Sequence, residues 1–142
     1  MYNGNMKIIK LKEVDSTHRY IKDYITENGY TEPLCVLCDY QTQGIGSRGN
    51  SWLGKKGNLF FSFVMDKEFL PEDLPLQSSS IYFSYILKDI LKDLGSKVWL
   101  KWPNDFYLDD KKIGGTITTV SKNLLYCGIG INLKNVSEDF GK

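Results

Sequence analysis

Two spacings of apolar residues organise the chain. After Asp15-Ser16-Thr17, a run of natural N-cap residues, Tyr20, Ile21, Tyr24 and Ile25 recur at helical spacing, and Asn28-Gly29 supplies a stop. A second helix is predicted from Ser78 to Leu94, with Phe83, Leu87, Ile90, Leu91 and Leu94 as its apolar face and Gly95 just past its end. The other apolar segments have strand length. Lys7 to Leu11 alternates, Leu34 to Tyr40 is a short apolar stretch, and Leu59 to Met65 (LFFSFVM) is nearly unbroken, as in a central strand covered on both faces. Lys97 to Trp102, Phe106 to Leu108, Lys112 to Val120 and Leu124 to Leu133 follow as further strands, with Asp109-Asp110-Lys111 as a hairpin turn. Between them, Gln41 to Trp52 is too polar and glycine-rich for either period and is predicted to be a loop.

The order is helix, strand, strand, helix, then hairpin-linked strands. It implies an α+β domain in which a mixed β-sheet packs against helices, rather than a doubly wound fold. With 142 residues, no repeat and no linker, the chain is read as one domain, residues 1–142. Apolar residues make up 42% and charged residues 25%, the balance of a globular protein. A net charge of +1 provides no global field for nucleic acid or an anionic membrane, so any anion site must be local. The first residues lack the long apolar stretch of a signal peptide or membrane span, and a cytoplasmic location is expected.

Cys35, Cys38 and Cys127 are an odd set for a disulfide framework. Cys35 and Cys38 form a C-x-x-C, but on a strand an offset of three points their side chains to opposite faces. Without a second Cys/His pair to complete a zinc site, buried reduced thiols are the expectation. His18, the only histidine, is expected to be an exposed helical residue without a catalytic part.

Four segments carry possible chemistry. Gly44-Ile45-Gly46-Ser47-Arg48-Gly49 matches a dinucleotide-binding fingerprint, which needs a helix immediately afterwards; Asn50 to Asn58 has no helical stripe, so that reading fails. A glycine-rich loop with Arg48, Lys55 and Lys56 can still cradle phosphate, although a solvated loop explains the same composition. Lys101-Trp102-Pro103-Asn104-Asp105 leaves a strand abruptly at a proline and presents polar groups, as a plain Asn-Asp turn also would. Lys112-Ile113-Gly114-Gly115-Thr116 puts adjacent glycines inside a strand, the mark of a bulge or of a close approach by ligand or backbone. Gly128-Ile129-Gly130-Ile131-Asn132 alternates glycine with apolar residues, leaving one face clear for a flat ligand or for close helix packing.

In this order, these motifs together with Asp15-Ser16-Thr17 resemble the biotin–protein ligase catalytic domain over nearly the whole chain. The resemblance implies the biotin/lipoate ligase catalytic fold, similar to that of class II aminoacyl-tRNA synthetases. It also implies ATP-dependent activation of biotin to biotinyl-5′-adenylate and transfer to a lysine of a biotin carboxyl carrier protein of a carboxylase. Biotin and ATP are the substrates implied and Mg²⁺ the cofactor, with the metal-holding residues unassigned and a homodimer left open. By the same resemblance, Ser16, Thr17 and Gln41 hydrogen-bond the ureido end of biotin, and Gly44, Ile45, Gly46, Ser47 and Gly115 approach it. Lys112 holds the biotin carboxylate and the α-phosphate and is the main electrostatic catalyst, with Arg48 and Lys101 as further catalytic cations. Trp52 packs on the adenine side, Asn132 reads the adenine edge, and Arg48, Asn104 and Asp105 line the phosphate side.

The chain also departs from the family. Ile45, Ser47 and Asn50 stand where arginines are common, leaving Arg48, with Lys55 and Lys56 as substitutes for the lost charge. The sequence ends soon after Asn132, so the usual C-terminal β-barrel is expected to be lacking, and no DNA-binding winged helix is expected before Asp15. Two alternatives stay open: a lipoate–protein ligase, which shares the fold and the adenylation chemistry, and a non-catalytic biotin-binding module, for which the adenine-side residues Trp52 and Asn132 would be superfluous.

Overall fold

The structure is a computed structural model that describes residues 6–45, 51–54 and 58–132, with the backbone alone for 43–45 and 51–54. Strands β1 (Lys7–Val14) and β2 (Leu34–Ile45) run parallel, joined by helix α1 (Thr17–Asn28). β3 (Ser51–Gly54) folds back on β2, and β4 (Leu59–Asp66) leads through two short 3₁₀ turns into helix α2 (Ser79–Asp93). Strands β5 (Trp99–Lys101), β6 (Asp105–Leu108), β7 (Lys111–Ser121) and β8 (Leu124–Ile131) complete a sheet of order β1-β2-β4-β8-β7-β6-β5, with β3 added on β2. Every other pairing is antiparallel. The mixed-sheet α+β architecture is therefore as expected, and the parallel pair sits where a helix makes the crossover.

The helices cover opposite faces. Val64 packs in a cluster with Ile21, Leu34, Val36 and Tyr126 beneath α1, whereas its neighbour Phe63 meets Phe83 of α2 edge-on at 5.0 Å. Adjacent strand residues point to opposite sides, so α1 and α2 sandwich the sheet. The α2 side is closed by Val98, Phe106, Ile113, Cys127, Ile129 and Ile131. Toward α1, β4 is fully buried; toward α2 it is half-buried, so its cover is complete on one face and partial on the other.

Several expectations need correction. The predicted loop begins later, because β2 continues through Ile45 and pairs with β3, Gly44 facing Trp52. Backbone pairing overrides the polar composition there. On α2, Ile90 and Leu94 are exposed and the buried face runs through Phe83, Leu87 and Leu91. It centres on the small Ser84, whose hydroxyl donates to the Ser80 carbonyl at 2.7 Å and accepts from Thr116 Oγ1 at 2.8 Å. Lys111 belongs to β7, leaving Asp109 and Asp110 to turn the β6–β7 hairpin; Asp109 (φ 54°) and Lys122 (φ 57°), in the β7–β8 hairpin, take the left-handed conformation that tight hairpins need.

Cys38 is buried and Cys35 half-buried, as their opposed faces require, and burial pushes both thiols up to about 11. They are protonated and unreactive at neutral pH. No helix among the described residues is long and apolar enough to cross a membrane.

Candidate active site

The N-terminus of α1 is tied down by the sheet beneath it. Ser16 caps the helix, accepting from the Arg19 amide at 3.2 Å, and Asp15 accepts from the Ser16 amide at 2.7 Å. The Thr17 amide finds its acceptor across the fold, on Gln41 Oε1 at 2.8 Å. Thr17 Oγ1 lies 3.2 Å from the same oxygen and 2.8 Å from Ser62 Oγ. Because Oε1 only accepts, Thr17 donates to Gln41 and Ser62 donates to Thr17. All four residues are buried, so this is a neutral hydrogen-bonded network whose groups are fixed before any ligand arrives.

The floor beside this network is made of glycine. In register, Gly115 faces Gly130 and Ile117 faces Gly128, so Gly115, Gly128 and Gly130 fall on the face that α1 covers. They line an open cleft together with residues of α1, β2 and β4. The neighbouring Gly114 is structural: a Cβ there would lie 2.4 Å from the Gly130 carbonyl oxygen and 2.9 Å from Ile131 Cα. At Gly115 an added Cβ would meet Asp105 Oδ1 at 3.4 Å, an ordinary contact, so that glycine keeps the floor low without being forced by the backbone.

The other end of the cleft is charged. Lys112 Nζ pairs with Asp105 Oδ1 at 3.2 Å, both side chains being about one-quarter exposed. The turn that delivers Asp105, which contains a cis Trp102–Pro103 bond, is clamped to β7. Asn104 Nδ2 donates to the Thr116 carbonyl at 2.6 Å and the Thr116 amide returns to the Asn104 carbonyl at 3.0 Å. Asn104 thus lines the cleft while its amide nitrogen serves the scaffold.

His18 overturns the expectation of an exposed helical residue. It is only 5% exposed, lines the cleft, and contacts Thr119 Oγ1 through Nε2 at 3.3 Å. Burial, with a smaller contribution from the Lys22 cation, pushes its pKa down to about 4, so it is neutral at physiological pH. Sequence reasoning missed it although His18, Ile21 and Ile25 share one helical stripe. Ser62 was missed too; a lone hydroxyl on the buried side of an apolar strand was its signal.

The structure therefore gathers Ser16, Thr17, Gln41, Asn104, Asp105, Lys112 and Gly115 around one cleft and adds His18, Ser62, Gly128 and Gly130. Lys101 does not line it; its ammonium lies 5.1 Å from the Tyr107 ring centroid. Asn132 is buried just past β8, its amide donating to the Ile113 carbonyl at 2.8 Å. Gly44, Ile45 and Trp52 lie on the β2–β3 hairpin. Gly46, Ser47, Arg48, Asn50, Lys55 and Lys56 lie outside the described residues, and so do the expectations placed on them.

The cleft thus has a neutral polar end, a glycine floor and an end that carries the Lys112–Asp105 ion pair. The chain is 32% identical over 146 residues to the bifunctional ligase/repressor BirA of Salmonella typhimurium, covering 96% of this chain and 44% of that protein. Its fold superposes with a TM-score of 0.89 and 40% identity on biotin acetyl coenzyme A carboxylase synthetase from Helicobacter pylori, solved with bound biotinylated ATP, covering 96% of this chain and 65% of that one. Biotin protein ligase from Aquifex aeolicus, solved with biotin and ATP, gives a TM-score of 0.74 and 32% identity over 94% of this chain and 56% of its own. The chain thus spans less than half of its Salmonella relative and about two-thirds of the Helicobacter protein. Residues 11–134 match the family model, and the chain belongs to the biotin/lipoate A/B protein ligase family.

Proposed function

We propose that this chain is the catalytic domain of a biotin–protein ligase, which activates biotin with ATP and passes it to a lysine of a biotin carboxyl carrier protein in the cytoplasm. The observation that carries this reading is the polarity of the cleft: a neutral network of Thr17, Gln41 and Ser62, with the capping Ser16 beside it, at one end and Lys112 at the other. A ureido ring has two N–H donors and a carbonyl acceptor, which the hydroxyls and the Gln41 amide can match. The dithiolane ring of lipoate offers no such groups, and burying the network against it would leave polar atoms unmet.

In the first step a biotin carboxylate oxygen attacks the α-phosphorus of ATP, the bond to pyrophosphate breaks, and a mixed anhydride forms. In the second, the ε-amine of the acceptor lysine attacks the acyl carbon and AMP leaves with the bonding electron pair. Neither step needs a covalent enzyme nucleophile. Lys112 sets a fixed positive charge beside the biotin carboxylate and the α-phosphate, where negative charge grows, and Gly115 lets the ligand approach the strand. Mg²⁺ reaches such sites mostly bound to phosphate oxygens and needs few protein carboxylates. Asp105, the one carboxylate lining the cleft among the described residues, fits that part, and the bound metal would neutralise phosphate charge. Trp52, Arg48 and Asn132 are assigned to the nucleotide, and Arg48 and Lys101 to supporting positive charge. Biotin-dependent exchange of pyrophosphate into ATP tests the reading: exchange with biotin and none with lipoate supports it, and the reverse preference overturns it.

A further inference from the structure

His18 lies on the ring end of the cleft, and nothing in the adenylation chemistry calls for an imidazole there. Its position is tightly defined. A Cβ placed on Gly128 would lie 3.0 Å from His18 Nδ1 and 3.1 Å from Ser62 Oγ, so ring and hydroxyl converge above that glycine. His18 Nδ1 is buried and has no hydrogen-bond partner among the described residues. Gly128 lies two residues from Gly130 along β8, roughly 7 Å from the part of the floor that faces Gly115 and Lys112. The imidazole therefore stands at the far end from the reacting charges, where a ligand's ring must stop.

We propose that His18 is a specificity-determining residue. Wedged over Gly128, it sets the depth of the ring end and restricts the site to a compact, unsubstituted fused ring. The proposal rests on the assignment of this cleft to biotin. Size is the property at work, so a leucine of similar bulk should preserve the selection and an alanine should relax it.

The test is calorimetric titration of the full chain with biotin and with biotin methylated on a ureido nitrogen. Failure of the unaltered chain to bind biotin would defeat the functional assignment itself. Given binding, His18→Ala should lower the ratio of the two dissociation constants by about tenfold or more, the discrimination that one methyl-sized group commonly carries, while His18→Leu keeps it. Gly128→Ala reads the same spot from the opposite wall. It should weaken biotin roughly ten- to two-hundredfold, and much less when combined with His18→Ala, because the new methyl then occupies vacated space. An unchanged ratio in His18→Ala overturns the proposal. If that variant does not fold, His18→Val, which removes part of the bulk, decides: a lowered ratio of the two dissociation constants supports the depth stop, and an unchanged ratio overturns it.

Discussion

The two ends of the cleft differ in every physical respect. The ring end, made by the first turn of α1 with Gln41 and Ser62, is buried and neutral, and its groups are bonded to one another before a ligand arrives. The reacting end, made by the turn after β5 and the start of β7, is a one-quarter-exposed ion pair of Lys112 and Asp105. Recognition gains from groups locked in place in a dry environment, since each mismatch leaves a buried polar atom unmet. Activation needs a positive charge already in place where negative charge grows, and Lys112, held beside Asp105, supplies one at the mouth.

The division predicts that damage at the two ends has different consequences. The largest expected effect is at the reacting end: Lys112→Ala should slow adenylation by about 100- to 1,000-fold, the usual loss for one preorganised electrostatic donor, measured as pyrophosphate exchange at saturating biotin. Near-normal exchange would remove Lys112 from its role. The next belongs to His18. Its folded pKa of about 4 lies below the ordinary 6.5, so the unfolded chain takes up the proton first. Stability from this residue is complete above about pH 6.5 and is lost as pH falls from there toward 4, by up to about 3 kcal/mol. Chemical denaturation at pH 7.5 and 4.5 should show a greater loss for the unaltered chain than for His18→Leu; equal losses would mean that the imidazole is not held neutral.

At the ring end, Gln41→Leu removes the acceptor that serves both the Thr17 amide and the Thr17 hydroxyl. Biotin affinity should fall by about one to two powers of ten, as for a buried network left unsatisfied, and calorimetry showing unchanged affinity would place the ring elsewhere. The smallest effect is expected of Asp105→Asn. The partly exposed ion pair contributes at most about 1 kcal/mol to stability, so the melting temperature should move by only a few degrees. A collapse of the fold would show that the pair is structural.

Much of this was legible before the structure. The helical stripes and the strand runs located both helices and the sheet, because each buries one face and writes that burial into its spacing. The family resemblance carried by the short polar motifs pointed to Ser16, Thr17, Gln41, Asn104, Asp105, Lys112 and Gly115, which line one cleft. What stayed hidden depended on contacts between distant segments. Gln41 reads as the start of a loop, yet its strand continues because β3 supplies partners from beyond the turn. His18 reads as a surface residue, yet Gly128 leaves room for its ring 110 positions later in the chain. Asn104 reads as a ligand-facing amide, whereas its nitrogen is spent on the Thr116 carbonyl.

The division between the two ends is tested most directly with biotin methyl ester, which keeps the ring and lacks the carboxylate. Its affinity should be nearly unaffected by Lys112→Ala, within about threefold, and weakened by about tenfold or more by Gln41→Leu. If Lys112→Ala abolishes ester binding while Gln41→Leu leaves it intact, ring recognition does not reside in the buried network and the account is wrong.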